Sequence, residues 1–445
     1  MLPRATMLLL VSLFLVGAAP FAPPDKGTRT VYRHATLIDG TGAAARSDIA
    51  VITDGERIAA VVPDSSLKPA QIAGAKQVDL SGRFLLPGYI DSHQHFATPP
   101  DRTEAEARLR RDIYSGITGT RDMADDLRQM ADITRAARVG EIPSPDIHYA
   151  ALMAGPSFFD DPRTQAIAYG AVAGKVPWEQ AIDESTDMRL AVARAKGTYA
   201  TAIKIYANLA GELVGKIAKE AHRQRMRVWT HGMVFPATPQ EVVDAGADTV
   251  SHSCYLAYQA MAKRPDSYQH RFPVDASLFE RDNPVMAALF ADMVRRGTIL
   301  DATVHVYREV EAAAKEQHKP PLCTVTFAGK LTNQAWRAGV QISTGTDGDT
   351  PLSEPWPSLF DEFQLLHDSA GLPPVAVIKA ATLTGAKAMG AEADMGSIAP
   401  GKLANMVVLS ANPLEDVRNM RSVVMTVKRG RVYQRDDYHP PLPSK

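Results

Sequence analysis

The chain lacks the features that mark several classes of protein. It has only two cysteines, Cys254 and Cys323, in 445 residues, which excludes a disulfide framework and a metal site built from thiolates. Whether these two cysteines pair stays open, and a buried, unreactive thiol is favoured at Cys254. Lysine and arginine number 49 against 50 acidic residues, so no basic excess is available to hold a nucleic acid. What the chain does have is 45% apolar residues, ample for a buried core. Its length favours one large domain with a smaller one.

The first residues differ from the rest of the chain. Arg4 precedes an apolar run, and the small residues Gly17-Ala18-Ala19 follow it, which is typical of a secretory signal peptide. The run is shorter than a helix that spans a bilayer. No cysteine or Arg-Arg pair occurs there, so neither a lipoprotein nor twin-arginine export is supported. We therefore expect a signal peptide over residues 1–24 and a mature chain exported to a bacterial periplasm without a stable membrane anchor; an uncleaved anchor is the alternative.

Short β-like segments occur at both ends of the chain. The pair Asp54-Gly55 lies between two of them and is a strong hairpin signal. Two similar segments, Ala404 to Leu409 and Val423 to Lys428, lie near the other end. We expect residues 25–86 and 396–445 to form one small β-sandwich domain built from both chain ends.

The central residues, 87–395, alternate short β-like runs with helical stretches, the pattern of βα units. Such units predict an α/β fold in which eight parallel strands close into a (β/α)8 barrel, and these barrels carry out their chemistry at the carboxyl ends of their strands. Two long connections, 152–185 and 253–283, are expected to cover that end. The predicted strands are Leu86–His95, Gly116–Asp122, Asp146–Ala151, Thr201–Ala207, Arg227–His231, Thr249–His252, Ile299–Val306 and Val340–Thr346.

Ionisable residues recur at the ends of these predicted strands. His93 and His95 are two positions apart, so on a strand their side chains point the same way. Imidazole and carboxylate groups suit Zn²⁺ or a similar divalent ion, and this many donors fit two ions better than one. The candidate ligands are His93, His95, Lys204, His231, His252 and Asp347.

The motifs around these residues resemble the amidohydrolase superfamily, in its imidazolonepropionase-related branch with Xaa-Pro dipeptidase-like enzymes. The resemblance covers roughly residues 28–435. It rests on Leu86-Pro87-Gly88-Tyr89-Ile90-Asp91-Ser92-His93-Gln94-His95, on Ile203-Lys204, on Gly345-Thr346-Asp347, and on the segment from Gly396 to Ala404 with Asn412-Pro413-Leu414.

The resemblance implies a role for each candidate ligand. His93, His95 and Asp347 hold the more buried of two metal ions, and His231 and His252 hold the more exposed one. Lys204, carboxylated by CO₂, bridges both ions. A hydroxide between the ions is the nucleophile, and Asp347 takes its proton and passes it to the leaving group. The metal identity stays open among Zn²⁺, Mn²⁺ and Co²⁺, with Zn²⁺ preferred.

The function that this resemblance implies is hydrolysis of an amide or peptide C–N bond in a small molecule, such as a dipeptide or an N-acyl amino acid. Alternatives on the same scaffold are a mononuclear deaminase or cyclic-amide hydrolase, a lactonase or a phosphotriesterase. A metal-free binding protein is a further alternative, and a homo-oligomer is open. Candidate substrate contacts are Tyr206, which shares the face of Lys204, and His305 and Tyr307 near the end of the seventh strand.

Overall fold

The computed structural model describes residues 19–441. Most of the predicted signal peptide, residues 1–18, therefore lies outside the described residues. The residues that follow it are packed on the protein: the Phe21 N–H donates to Gly140 O at 2.8 Å, and the Phe21 ring stacks on Tyr433. Among the described residues, no helix has the length and apolar character needed to cross a membrane.

Eight parallel strands form a nearly closed barrel, as predicted. Neighbouring strands pair in chain order, and a short hairpin of Lys175–Val176 and Glu179–Ala181 extends the sheet beside the third strand. The last strand meets the first through the Ser92 N–H, which donates to Thr344 O at 2.7 Å. The strands are Tyr89–Gln94, Ile117–Asp122, Asp146–Ala154, Ala202–Ile205, Arg227–His231, Thr249–Ser251, Ile299–Asp301 and Ile342–Ser343.

Helices surround the barrel and bury their apolar faces against it. Local signals set their ends: Asp126 accepts a hydrogen bond from the Arg128 N–H at the start of one helix, and Gly140 ends the same helix with a positive φ of 75°. The main helices are Arg102–Tyr114, Leu127–Val139, Met188–Lys196, Gly211–Arg223, Pro239–Asp244, Pro284–Arg296, Val306–Glu316, Val325–Arg337, Leu359–Asp368, Pro374–Lys379 and Gly385–Met389.

Both chain ends contribute to the small β domain. Its strands are hydrogen-bonded into one continuous sheet, in which Phe84–Pro87 from the first part of the chain pairs with Met406–Leu409 from the last. The sheet covers its own apolar core, which includes Tyr32 and Met406. The strands are Arg29–Leu37, Arg46–Asp54, Arg57–Pro63, Lys76–Asp79, Phe84–Pro87, Met406–Leu409, Val423–Lys428 and Arg431–Gln434.

Several predicted strands are shorter in the structure than in the sequence analysis, and two of these differences have a clear cause. The run Leu86–His95 divides at Gly88, where a Cβ atom would lie 2.2 Å from the Thr118 side chain; Leu86 and Pro87 belong to the small sheet. The seventh strand ends at Asp301, because the chain turns at Thr303 with φ 46° and enters the helix Val306–Glu316. His305 therefore precedes a helix and does not lie on a strand.

Cys254 and Cys323 form a disulfide. The pairing joins the segment after the sixth strand to the loop before the helix Val325–Arg337, across 69 positions of sequence. Sequence reasoning left this pairing open and favoured an unpaired buried thiol at Cys254; the structure brings the two Cα atoms to 6.3 Å.

Candidate metal centre

The carboxyl end of the barrel brings imidazole and carboxylate groups together around Asp347. The Nε2 atoms of His93 and His95 each lie 3.5 Å from Asp347 Oδ1. On the other side of the carboxylate, His252 Nε2 lies 3.7 Å from Asp347 Oδ2. Donor atoms of His93, His252 and Asp347 all lie within 4.8 Å of one another, which is close enough to share one ion.

Three of the imidazole rings are held through their second nitrogen. His93 Nδ1 lies 2.8 Å from Asp301 Oδ2, and His95 Nδ1 lies 3.0 Å from Asp125 Oδ1. His252 Nδ1 lies 2.9 Å from the Thr303 hydroxyl. A partner on one ring nitrogen fixes the ring and leaves the other nitrogen directed at a metal, which is the usual arrangement around metal-bound histidine.

Lys204 and His231 complete the group from the fourth and fifth strands. The His231 ring lies 4.7 Å from the His252 ring, measured between centroids. Lys204 is fully buried, and neither its Nζ atom nor His231 Nδ1 has a hydrogen-bond partner among the described residues. A buried amine without a partner is costly, so this position is suited to a further group on the lysine nitrogen.

The backbone is strained where two of these residues lie. His252 has φ 71° and Asp347 has φ 50°, in a region that residues with a side chain rarely adopt. Such conformations cost about 1–3 kcal/mol each and concentrate at functional sites. Close packing accompanies them, since a Cβ atom on Gly345 would lie 2.1 Å from Asp301 Oδ1 and 2.8 Å from the His93 side chain.

Burial and charge shift the ionisation of the central groups. Burial lowers the pKa of Lys204 to about 7, so the amine is neutral in much of its population near neutral pH. Burial likewise lowers the pKa of His252 to about 3 and leaves the ring neutral. For Asp347, burial opposes ionisation, but the neighbouring histidines outweigh it and hold the pKa below its usual range.

The donor set fits divalent metal ions. It offers imidazole nitrogens with fixed orientation, an ionised carboxylate, and a neutral buried amine that is able to react with CO₂ to give an anionic carbamate. The structure places His93, His95 and His252 around Asp347, with His231 beside His252 and Lys204 buried on the neighbouring strand, and the role of these residues as ligands stays a prediction.

A cavity of about 620 Å³ opens above these donors. Both long connections contribute to its wall, Phe158 and Arg163 from the first and Tyr268 and Arg271 from the second, as the sequence analysis expected. The volume is that of a site for a small molecule.

The three candidate substrate contacts differ in their positions. Tyr206 lines the cavity, with its ring centroid 4.1 Å from that of His231. Tyr307 also lines it, and its hydroxyl accepts the Cys254 N–H at 3.2 Å. His305 is not among the lining residues; it is buried, and its backbone N–H donates to the Glu362 carboxylate.

Sequence reasoning missed several residues that shape the site. Asp125 and Thr303, which hold two of the rings, lie in turns after strands and have no sequence signal of their own. Asp301 ends the seventh strand, and besides holding His93 it accepts a hydrogen bond from the Ser251 hydroxyl and pairs with Arg121.

We expect Asp301→Asn to weaken metal binding by about 10- to 100-fold, as is typical when the partner of a metal-bound histidine is changed. An amide is a poorer acceptor for the His93 N–H and does not balance Arg121. Competition with a chelator measures the affinity. The control is Asp244→Asn, because Asp244 pairs with Arg296 on the surface. Equal affinity in wild type and Asp301→Asn would show that this contact does not support the metal.

Comparisons with known proteins agree on one family. The sequence profile described as "Amidohydrolase family" matches residues 84–433. Imidazolonepropionase of Symbiobacterium thermophilum is 26% identical over 453 residues, which cover 95% of this chain and 97% of that protein. Imidazolonepropionase of Arthrobacter sp. is 30% identical over 234 residues, or 47% of this chain and 56% of that protein.

Solved structures show the same fold. A Xaa-Pro dipeptidase with bound methionine superposes with a TM-score of 0.70 at 21% identity, covering 92% of this chain and all of that one (100%). The ochratoxinase of A. niger has a TM-score of 0.71 at 22% identity, covering 92% of this chain and 96% of that one.

Proposed function

The chain belongs to the amidohydrolase family, and from that premise we propose that it is an exported hydrolase with two metal ions that cleaves the C–N bond of a dipeptide or an N-acyl amino acid. The observation that carries the proposal is the convergence of His93, His95 and His252 on Asp347, with the His231 ring next to that of His252. On the neighbouring fourth strand lies the buried amine of Lys204, which has no hydrogen-bond partner among the described residues. One metal ion leaves some of these donors unused. Two divalent ions, which we propose to be Zn²⁺, would use all of them if Lys204 were carboxylated by CO₂ and served as a shared ligand.

The residues of the chain have distinct parts in the proposed reaction. Bound divalent ions supply an activated water and polarise the scissile carbonyl. Asp347 accepts the proton of the attacking water on its carboxylate and delivers it to the leaving nitrogen. The neighbouring histidines hold the pKa of Asp347 below its usual range, so its carboxylate is ionised before the water attacks. Tyr206, whose ring packs on His231, forms part of the wall that the substrate contacts.

Arg271 supports a substrate that carries a free carboxylate. Its guanidinium lies 3.4 Å from the centroid of the Tyr268 ring and donates to the Tyr255 hydroxyl. Among the described residues, no carboxylate lies within salt-bridge distance of it. A positioned arginine without an anionic partner in a substrate cavity is suited to binding a carboxylate. Dipeptides and N-acyl amino acids both carry one.

The proposal is tested with purified, metal-loaded protein on panels of dipeptides and N-acyl amino acids. We expect Arg271→Gln to raise KM for the best substrate by about 10- to 100-fold, the loss of hydrogen bonds to a charged group, with a smaller change in kcat. For the C-terminal amide of the same substrate, which has no carboxylate, we expect the same KM in Arg271→Gln as in wild type.

The control for this experiment is Arg264→Gln. Arg264 lies in the same connection, but it donates to backbone carbonyls and does not line the cavity. If no member of either panel is cleaved by wild type, the proposed substrate class is wrong. If Arg271→Gln raises KM equally for the best substrate and for its C-terminal amide, Arg271 does not bind the substrate carboxylate.

The second candidate is a cyclic-amide hydrolase with a single metal ion. The relatives named imidazolonepropionase favour it, since an imidazolone ring contains an amide. Lys204 distinguishes the two candidates: in a mononuclear site it has no bridging role, and its replacement leaves the metal content unchanged.

Export is proposed from the chain's first residues and supported by the disulfide. Disulfides persist in oxidising compartments such as the periplasm, and Cys254 pairs with Cys323. We place signal cleavage before Phe21, because that residue is hydrogen-bonded to Gly140 and stacked on Tyr433. N-terminal sequencing of the exported protein tests both points.

A further inference from the structure

The cavity above the metal donors is polarised, and its anionic side is formed by a residue that the mechanism does not use. Glu309 lines the cavity from the first turn of the helix Val306–Glu316. Its Oε1 atom lies over Gly348, so that a Cβ atom there would be only 2.6 Å away. Gly348 directly follows Asp347, which places Glu309 beside the reacting groups.

Glu309 has no cation of its own. Among the described residues, no lysine, arginine or histidine lies within salt-bridge distance of its carboxylate, and no hydrogen bond to it is formed. Its charged neighbours are the acidic residues Asp347 and Asp349. Asp349 is already neutralised by the buried Arg111. The Glu309 carboxylate therefore lines the cavity without a cationic partner among the described residues.

The cationic side lies across the donor set. Arg271 is held by Tyr255 and Tyr268, and both of these rings pack near His231, with centroids at 5.0 and 5.9 Å from its ring. Glu309 lies on the side of Asp347 instead. The two groups thus line one cavity near different donors: the Glu309 carboxylate lies by Asp347, and the Arg271 guanidinium lies by the two tyrosines next to His231.

A dipeptide has the matching order of charges. Its amino group, scissile carbonyl and carboxylate follow one another along the molecule, with the carbonyl in the middle. An N-acyl amino acid has the carbonyl and the carboxylate but no amino group. An ammonium beside Glu309 and a carboxylate beside Arg271 place the scissile carbonyl over the donors.

From this arrangement we infer that Glu309 binds the free α-amino group of the substrate and makes the enzyme select dipeptides over N-acyl amino acids. The inference rests on the proposed function and narrows its substrate class. Glu309 is a specificity residue in this account, and the reaction itself needs no proton from it.

If Glu309 has only a structural role, a different result is expected for Glu309→Gln. An acidic residue in the first turn of a helix stabilises the helix through its dipole. If that were its only role, Glu309→Gln would lower the melting temperature slightly and change the rates for all substrates alike.

The test compares two substrates that differ only in the amino group. Alanyl dipeptides (Ala-Xaa) are paired with the propionyl amino acids (propionyl-Xaa), in which hydrogen replaces the ammonium. We expect wild type to prefer Ala-Xaa in kcat/KM by about tenfold or more, the effect of one hydrogen bond to a charged group. In Glu309→Gln the ratio of kcat/KM for Ala-Xaa to that for propionyl-Xaa is expected to fall to about one, mainly through a higher KM for Ala-Xaa.

Glu316→Gln is the matched control, since Glu316 is exposed at the other end of the same helix and does not line the cavity. It is expected to keep the wild-type preference. An unchanged substrate ratio in Glu309→Gln overturns the inference while leaving the proposed function intact. Failure of metal-loaded wild type to cleave either series contradicts the proposed function itself.

Discussion

Asp347→Asn is expected to lower kcat by about 10³-fold, within the range for loss of a general acid–base group. The asparagine oxygen still ligates a metal, but the amide does not accept a proton from the attacking water. The residue also stands at the centre of the donor set, 3.5 Å from both His93 Nε2 and His95 Nε2. Metal content is therefore measured on the same samples, and kcat is compared at equal occupancy.

The control for this variant is Asp368→Asn, because Asp368 pairs with Arg418 on the surface. It is expected to retain wild-type kcat. If Asp347→Asn keeps more than a tenth of wild-type kcat at full metal occupancy, Asp347 is a ligand without a part in proton transfer.

Lys204→Ala is expected to lower kcat/KM by at least about 10³-fold, as for groups that act together as one catalytic unit. The variant removes the nitrogen that carries the proposed carbamate, and with it the link between the two sets of histidines. Steady-state kinetics on the best substrate measure the change. Lys216→Ala is the control, because Lys216 forms only an exposed pair with Glu212.

Lys204→Gln separates the bridging role from simple packing. Glutamine fills similar space but forms no carbamate, so it is expected to be as inactive as Lys204→Ala. Recovery of wild-type activity in Lys204→Gln would mean that the buried position needs volume alone.

The parts of the site that lie on barrel strands were predictable from the sequence. His93, Lys204 and His231 each lie within or at the end of an apolar run, and parallel strands in a barrel direct their carboxyl ends to one face. Once eight such runs were recognised, their terminal residues had to converge. The same reasoning predicts His252 and Asp347 at strand ends, but it does not predict their positive φ angles.

The errors arose where local sequence does not determine the path of the chain. The segment Ala302-Thr303-Val304 continues the apolar pattern of the seventh strand without a glycine or proline, yet the chain turns at Thr303. The sequence therefore predicts His305 as a candidate substrate contact at a strand end, whereas it precedes a helix and is not among the residues that line the cavity. Hydrogen-bond partners such as Asp125 and unpaired charges such as Arg271 depend on distances between remote segments, which periodicity does not report.

The disulfide is likewise not determined by the local sequence. Nothing in the sequence near Cys254 or Cys323 distinguishes a buried thiol from half of a disulfide, since pairing depends on Cα positions that are 69 residues apart in sequence and 6.3 Å apart in space. The two loops that line the cavity were identified by their length, and their individual contacts were not.

The central claim is a centre of two metal ions joined through Lys204, and elemental analysis of metal per chain tests it most directly. Wild type and Lys204→Ala are purified, loaded with Zn²⁺ and freed of excess metal, with Lys216→Ala as the control. We predict about two ions per chain in wild type and the control, and about one or fewer in Lys204→Ala, because six donors serve two ions only with the bridging anion. About one ion in all three proteins would contradict it and favour the mononuclear hydrolase of a cyclic amide.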